Sequence, residues 1–156
     1  MKSNADPSAS GDMVHTDPLL LHQARTAGYA LLSLDEFASR LHGADCFLAD
    51  VRPLETWLAG HIPGARFLGP ADGWYQRLTL PLRMRWLLGD RRTMSLYLYG
   101  SRMHGGYHRH AAAAVQVGWR EVCCVPAGFE AWHEAGWQVE QGSVPGRLDC
   151  VPGRAG

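Results

Sequence analysis

The segment that most limits what this chain can fold into runs from Ser95 to Gly118: SLYLYG, then SRMHGGYHRH, then AAAAVQVG. Residues 95–100 alternate polar or aromatic with aliphatic side chains, a pattern that predicts a strand. Residues 111–117 are mostly alanine, and Gly118 stands where a helix end favours a residue tolerant of positive φ. Between them, Gly105 and Gly106 permit a tight backbone path. A strand that turns through a glycine loop into a helix aims several N–H groups at one point, and the helix dipole adds partial positive charge there. Arg102, His104, His108, Arg109 and His110 crowd the same segment. Ser101, Arg102, Met103, His104, Gly105, Gly106, Tyr107 and His108 therefore form a candidate anion-binding loop.

A cysteine at the base of such a loop would have its thiolate stabilised by that field. No cysteine lies between Cys46 and Cys123; Tyr99, Gly100 and Ser101 occupy the base instead. A serine hydroxyl forms no persulfide and stays protonated unless a base takes its proton. Ser101 with His104 or His108 as base is the hydrolytic alternative, but a serine near a histidine does not make a triad. A loop kept for shape and anion binding is the expected reading.

The rest of the chain alternates in the same way. Met1 to about Thr16 is rich in Ser, Asp, Pro and Gly and is expected to be disordered. Residues 19–27 (LLLHQARTA) predict a short helix. Ser33-Leu34-Asp35-Glu36 has capping-box spacing ahead of a helix to Leu41. Cys46-Phe47-Leu48-Ala49-Asp50-Val51 is a nearly continuous apolar run, as in a strand buried on both faces. Pro53 suits the first turn of a helix to Ala59, and residues 66–68 a short strand. Residues 74–88 read as helix in two pieces broken near Pro81. Residues 121–125 predict another buried strand, followed by a helix carrying Phe129, Ala131 and Trp132 that Gly136 stops. Residues 141–156 are Gly/Pro-rich and expected to be a flexible tail. Strands alternating with helices predict one α/β domain over residues 17–140, with a mostly parallel central sheet, helices on both faces and ligands beyond the strands' carboxyl ends.

The 15 Lys and Arg balance the 15 Asp and Glu, which argues for no nucleic-acid partner and no acidic membrane partner. The N-terminal MKSNADPSASGD lacks the apolar run of a signal peptide, and no segment approaches a bilayer span, so a cytoplasmic setting is expected. Four cysteines without C-x-x-C or disulfide-scaffold spacing are expected to be reduced and mostly buried. On a strand, Cys123 and Cys124 would point to opposite faces and not converge on one ion. Cys150 falls in the tail. His104, His108 and His110 have no carboxylate or cysteine in their segment to complete a metal shell. Neither metal nor cofactor is expected. The six tryptophans are read as packing residues rather than a base-stacking surface.

Two stretches then become specific. Asp50-Val51-Arg52, Glu55, Trp57 and Gly60-His61-Ile62-Pro63-Gly64-Ala65 resemble the D-V-R…E…GHIPGA signature of rhodanese-like domains. Gly118-Trp119, Val122, Val125, Gly128, Ala131-Trp132 and Ala135-Gly136 resemble that family's C-terminal signature, with Ala127 in place of one glycine and Gln138 in place of a common proline. The resemblance implies the rhodanese fold, a member of the sulfurtransferase superfamily. It also implies that Asp50, Arg52 and His61 support the turns beside the active loop, and that a catalytic cysteine would stand at the loop's start to carry a sulfane sulfur. Counting back from Gly118 puts Ser101 at that position; matching by the strand gives Gly100 or Tyr99. None is cysteine. The resemblance therefore implies a non-catalytic module that binds a small oxyanion, a sulfur-containing metabolite or a protein partner. The alternatives are a sulfurtransferase using a cysteine outside the loop, or a Ser101 hydrolase.

Overall fold

The computed structural model describes residues 17–41, 45–91, 93–102 and 106–142. The expected disordered N-terminus and all but the first two residues of the expected tail, Cys150 included, lie outside the described residues. The elements run α1 (Pro18–Ala27), β1 (Ala30–Leu31), α2 (Leu34–Leu41), β2 (Cys46–Asp50), α3 (Leu54–Ala59), β3 (Arg66–Phe67), α4 (Trp74–Leu88), β4 (Ser95–Tyr99), α5 (Tyr107–Val117), β5 (Glu121–Val125) and α6 (Gly128–Glu134).

The five strands form one sheet in the order β1-β5-β4-β2-β3, and every pairing is parallel. A parallel sheet must be covered on both sides, which is why β2 is buried at all five positions and β4 and β5 at four of five. The period of two sorts their side chains cleanly. Phe47, Ala49, Leu96, Leu98, Val122 and Cys124 pack with residues of α1, α4 and α5, including Ala24, Met84 and Ala111. Leu48, Tyr97, Tyr99, Cys123 and Val125 face the other way, toward Phe37 of α2 and Trp132 of α6. Leu96 and Leu98 are wholly inaccessible, each burial contributing about 1.5–3 kcal/mol.

Local signals explain the helix ends. The Asp17 carboxylate accepts the Leu19 N–H at 2.9 Å with Pro18 in the first turn, and Gly28 closes α1 in the left-handed region at φ 88°. Ser33 Oγ accepts the Glu36 N–H at 3.3 Å at the start of α2.

The structure adds one element and corrects two expectations. The sequence pattern contains no signal for β1: Ala30 and Leu31 are strand only through their register with Cys123 and Cys124 at the sheet edge. α4 is one continuous helix, not two, with Pro81 inside it. Pro81 is exposed, so the bond lost with its missing N–H is on the solvent side and leaves the core-facing Leu80, Met84 and Leu88 in place. Finally, Trp57, Trp119 and Trp132 do pack in the interior, but Trp74 and Trp86 are 78% and 68% exposed. No helix among the described residues is long and apolar enough to cross a membrane.

Candidate functional site

The strand order locates the site before any side chain is considered. From β2 the chain passes to β3 on one side, whereas from β4 it passes to β5 on the other. The connections diverge between β2 and β4, and ligands of open parallel sheets bind in the crevice beyond the carboxyl ends at such a divergence. The turn after β2 is Val51-Arg52-Pro53, and the loop after β4 begins at Gly100. The Val51 N–H donates to Tyr99 O at 3.1 Å, joining the two ends.

Asp50 and Arg52 form a sealed pair. Asp50 is wholly inaccessible and Arg52 is 5% exposed. The Arg52 backbone N–H and Nε donate to Asp50 Oδ1 at 2.8 and 3.0 Å, and Nη2 donates to Oδ2 at 2.7 Å and to Gly60 O at 2.7 Å. The guanidinium carbon lies 4.1 Å from the Phe129 ring centroid and 5.7 Å from that of Tyr99. Two charges removed from water are tolerable only in such fork geometry with remaining donors satisfied. These contacts tie the turn after β2 to Gly60. Tyr99 is equally enclosed; its hydroxyl accepts the Ile62 N–H at 3.1 Å, and burial with the nearby Asp50 charge pushes its pKa well up. His61 stacks on Trp57 at 4.3 Å between centroids. Its Nδ1 lies 2.8 Å from Trp57 O, and its backbone pairs with that of Glu140 at 2.9 Å in both directions. These contacts brace the GHIPGA turn.

The loop is held by a residue the sequence reading passes over. Ser101 Oγ donates to Glu130 Oε1 at 2.6 Å, and the Arg102 N–H donates to Oε2 at 2.9 Å. The Arg102 guanidinium reaches Glu134 Oε1 and Oε2 at 3.3 and 2.8 Å. Burial would raise the Glu130 pKa, but the hydrogen bonds from Ser101 and Arg102 and the charge of Arg52 hold it below the ordinary carboxylate range. The only sequence signal for this role is an acid in the first turn of α6, favourable to the helix dipole. Nothing local shows that this turn faces the loop. Gly128 makes that approach possible: at φ 72°, an added Cβ would lie 2.7 Å from Arg102 N and 2.8 Å from Gly100 O. The Phe129 N–H donates to the same Gly100 O at 3.0 Å.

Met103, His104 and Gly105 lie outside the described residues. Beyond them α5 starts at Tyr107, four residues before the alanine run, so His108, Arg109 and His110 are helical. Tyr107 is buried. His108 Nδ1 is 2.6 Å from the Tyr29 hydroxyl, and Arg109 Nη1 donates to Ala71 O at 3.3 Å. His110 is wholly inaccessible, with Nε2 2.9 Å from Gly69 O and Nδ1 3.1 Å from Gly106 O. The described basic side chains of the segment are therefore engaged within the protein. Gly100 sits between the turn after β2 and the start of α5, and these with Gly128 form a cradle: a Cβ at Gly100 would lie 3.1 Å from Val51 Cγ2 and 3.8 Å from Gly106 N. The first N–H groups of a helix, together with its dipole, suit an anion or a thiolate.

The described cysteines are elsewhere. Cys46, Cys123 and Cys124 are free and buried in the sheet. Burial, then the Glu121 charge, pushes the Cys123 thiol up to about 12, and burial raises the Cys124 thiol well above its ordinary value. No group of three or more His, Cys, Asp or Glu among the described residues could hold a metal ion.

A parallel α/β domain whose connections diverge between its central strands defines the class of protein. The chain belongs to the rhodanese-like domain family, whose model matches residues 33–135. It is 32% identical over 117 residues to an HTH-type transcriptional regulator of Mycobacterium tuberculosis, covering 73% of this chain and 46% of that protein. The chain thus spans about half the length of this curated relative. Its fold matches a thiosulfate sulfurtransferase from Pseudomonas aeruginosa with a TM-score of 0.57 and 20% identity, over 89% of this chain and 23% of that one. It also matches a 3-mercaptopyruvate sulfotransferase from Escherichia coli with a TM-score of 0.55 and 18% identity, over 74% and 52% of the two chains.

Proposed function

We propose that this rhodanese-like domain is a binding or regulatory module, a pseudoenzyme that does not turn over sulfane sulfur. The observation that carries this reading is the position of the thiols. The loop after β4 contains no cysteine, and the three described cysteines are buried in the sheet with raised thiol pKa values. A nucleophile needs thiolate character and access, and these groups have neither. Ser101 does not replace them, since its hydroxyl donates to Glu130, a carboxylate held below its ordinary pKa and so a weak base, and His108 is engaged with Tyr29.

The ligand is a small oxyanion such as sulfate, phosphate or thiosulfate, or a sulfur-containing metabolite, held at the start of α5 beside Gly100. The role is regulatory: the mycobacterial relative is named as a transcriptional regulator, and this chain matches a portion of it. A protein partner would read the occupied loop, in the cytoplasm, where unpaired thiols persist.

Incubation with thiosulfate and cyanide, followed by intact-mass spectrometry, tests the reading. The expected result is no persulfide and no thiocyanate above that of a variant lacking all four cysteines. A persulfide on any cysteine, Cys150 included, together with turnover would establish a sulfurtransferase instead.

A further inference from the structure

α4 carries apolar side chains on both sides. Leu80, Met84 and Leu88 enter the core, while Trp74, Tyr75, Leu78, Leu82 and Trp86 point outward, 78, 63, 71, 68 and 68% exposed. A helix that is apolar all round is ordinarily buried all round. The outward residues 74, 78, 82 and 86 form a single i, i+4 ridge, the kind whose pairing gives the commonest crossing of two helices. Side chains of this size bury ~150–250 Å² each when aromatic, so the ridge offers on the order of 700 Å² per chain. That is close to the ~800 Å² each partner contributes to a standard interface and exceeds the few hundred Å² a monomer ordinarily leaves bare.

The order of the residues decides what covers it. The ridge reads Trp, Leu, Leu, Trp and is the same from either end. A two-fold interface requires that residue i meet residue j while j meets i. An antiparallel copy of α4 centred at Leu80 satisfies this, with Trp74 against Trp86 and Leu78 against Leu82 in both directions. The charges agree. α4 has three arginines and no acid. Arg77 and Arg83 turn to their own chain's carbonyls, Ala71 O at 3.4 Å and Leu68 O at 2.7 Å. Arg85, beside the ridge, falls opposite Tyr75 of the second copy, where a cation meets an aromatic face rather than another cation. A groove of about 430 Å³ beside Leu82 and Trp86, walled by Phe67, Leu68, Arg83 and Leu87, opens where Trp74 of the second copy arrives.

We infer that α4 is a self-association surface, through which two copies of this chain pair antiparallel about Leu80. The inference is independent of what the loop binds.

Sedimentation equilibrium of the full chain tests it. The wild type is expected to form a dimer. Leu78→Glu and Leu82→Lys, both at exposed positions and expected to leave the circular dichroism unchanged, are each expected to weaken it ~100-fold or more, because a charge would be buried against leucine. Mixing the two variants is expected to restore dimer, since the introduced carboxylate of one copy then faces the introduced ammonium of the other while the second leucine pair remains. A wild type that stays monomeric to ~100 µM, a dimer indifferent to Leu78→Glu, or a mixture that stays monomeric would overturn the inference. So would a monomeric chain that floats with phosphatidylserine-containing vesicles, which would assign the ridge to a bilayer surface.

Discussion

The hydroxyl of Ser101 and the carboxylate of Glu130 meet at 2.6 Å, and the same carboxylate takes the N–H of Arg102 at 2.9 Å. The loop that would greet an incoming anion is thus partly filled by one from its own chain. Glu130→Ala releases both donors and removes a negative charge from the cradle. Sulfate or phosphate is expected to bind about tenfold more tightly to the variant, about 1.4 kcal/mol, by isothermal titration calorimetry. Unchanged affinity would place the anion away from the loop.

The two candidate positions for a thiol should behave oppositely. A side chain at Gly100 lies over Gly106 N, at the start of α5, where donors favour a thiolate. One at Ser101 lies against Glu130, whose charge disfavours it. Gly100→Cys is therefore expected to be alkylated with a pKa below the ~8.5 of a free thiol, and Ser101→Cys with one above it. The pH dependence of iodoacetamide labelling measures both. Only the former is expected to take a persulfide from thiosulfate.

Asp50→Ala leaves Arg52 buried without its counter-charge. The expected loss is about 3–5 kcal/mol in urea denaturation, against about 0.5 kcal/mol or less for a substitution at exposed Glu55. A loss at Asp50 below about 1 kcal/mol would mean that water reaches the pair in solution.

His110 has a pKa lowered by burial, only partly offset by the carbonyls of Gly106 and Gly69. A folded pKa below the unfolded value means that the unfolded chain binds the proton more readily. The contribution to stability is complete above the unfolded value near 6.5 and is lost as pH falls. Its imidazole resonances are expected to titrate at lower pH than those of a free histidine, with unfolding easier toward pH 5. A His110 that titrates above the free value would contradict this.

Much of this is readable from residues alone. β2 and β5 announce themselves as short, mostly apolar runs because both of their faces are covered, and β4 by its alternation of aliphatic with polar or aromatic residues. Ser33 marks the start of α2 through its own hydroxyl, and the DVR and GHIPGA stretches give the family. What is not readable depends on partners distant in sequence. Ala30 and Leu31 become strand only beside Cys123 and Cys124. Pro81 stays inside a helix because packing on the opposite side outweighs one missing bond. Glu130 escapes notice because no local pattern says that the start of α6 leans on the loop after β4; Gly128 carries that information only once the fold is known.

The parallel sheet has one more effect, on the order of events during folding. The cradle draws on Val51, Gly100, Gly106 and Gly128, supplied by two separate crossovers and by the segment after the last strand. Parallel strands cannot join by a tight hairpin, so these pieces meet only after long stretches of chain have closed. Anion binding should therefore appear in the last kinetic phase of refolding, and a partially assembled sheet would have no cradle at all.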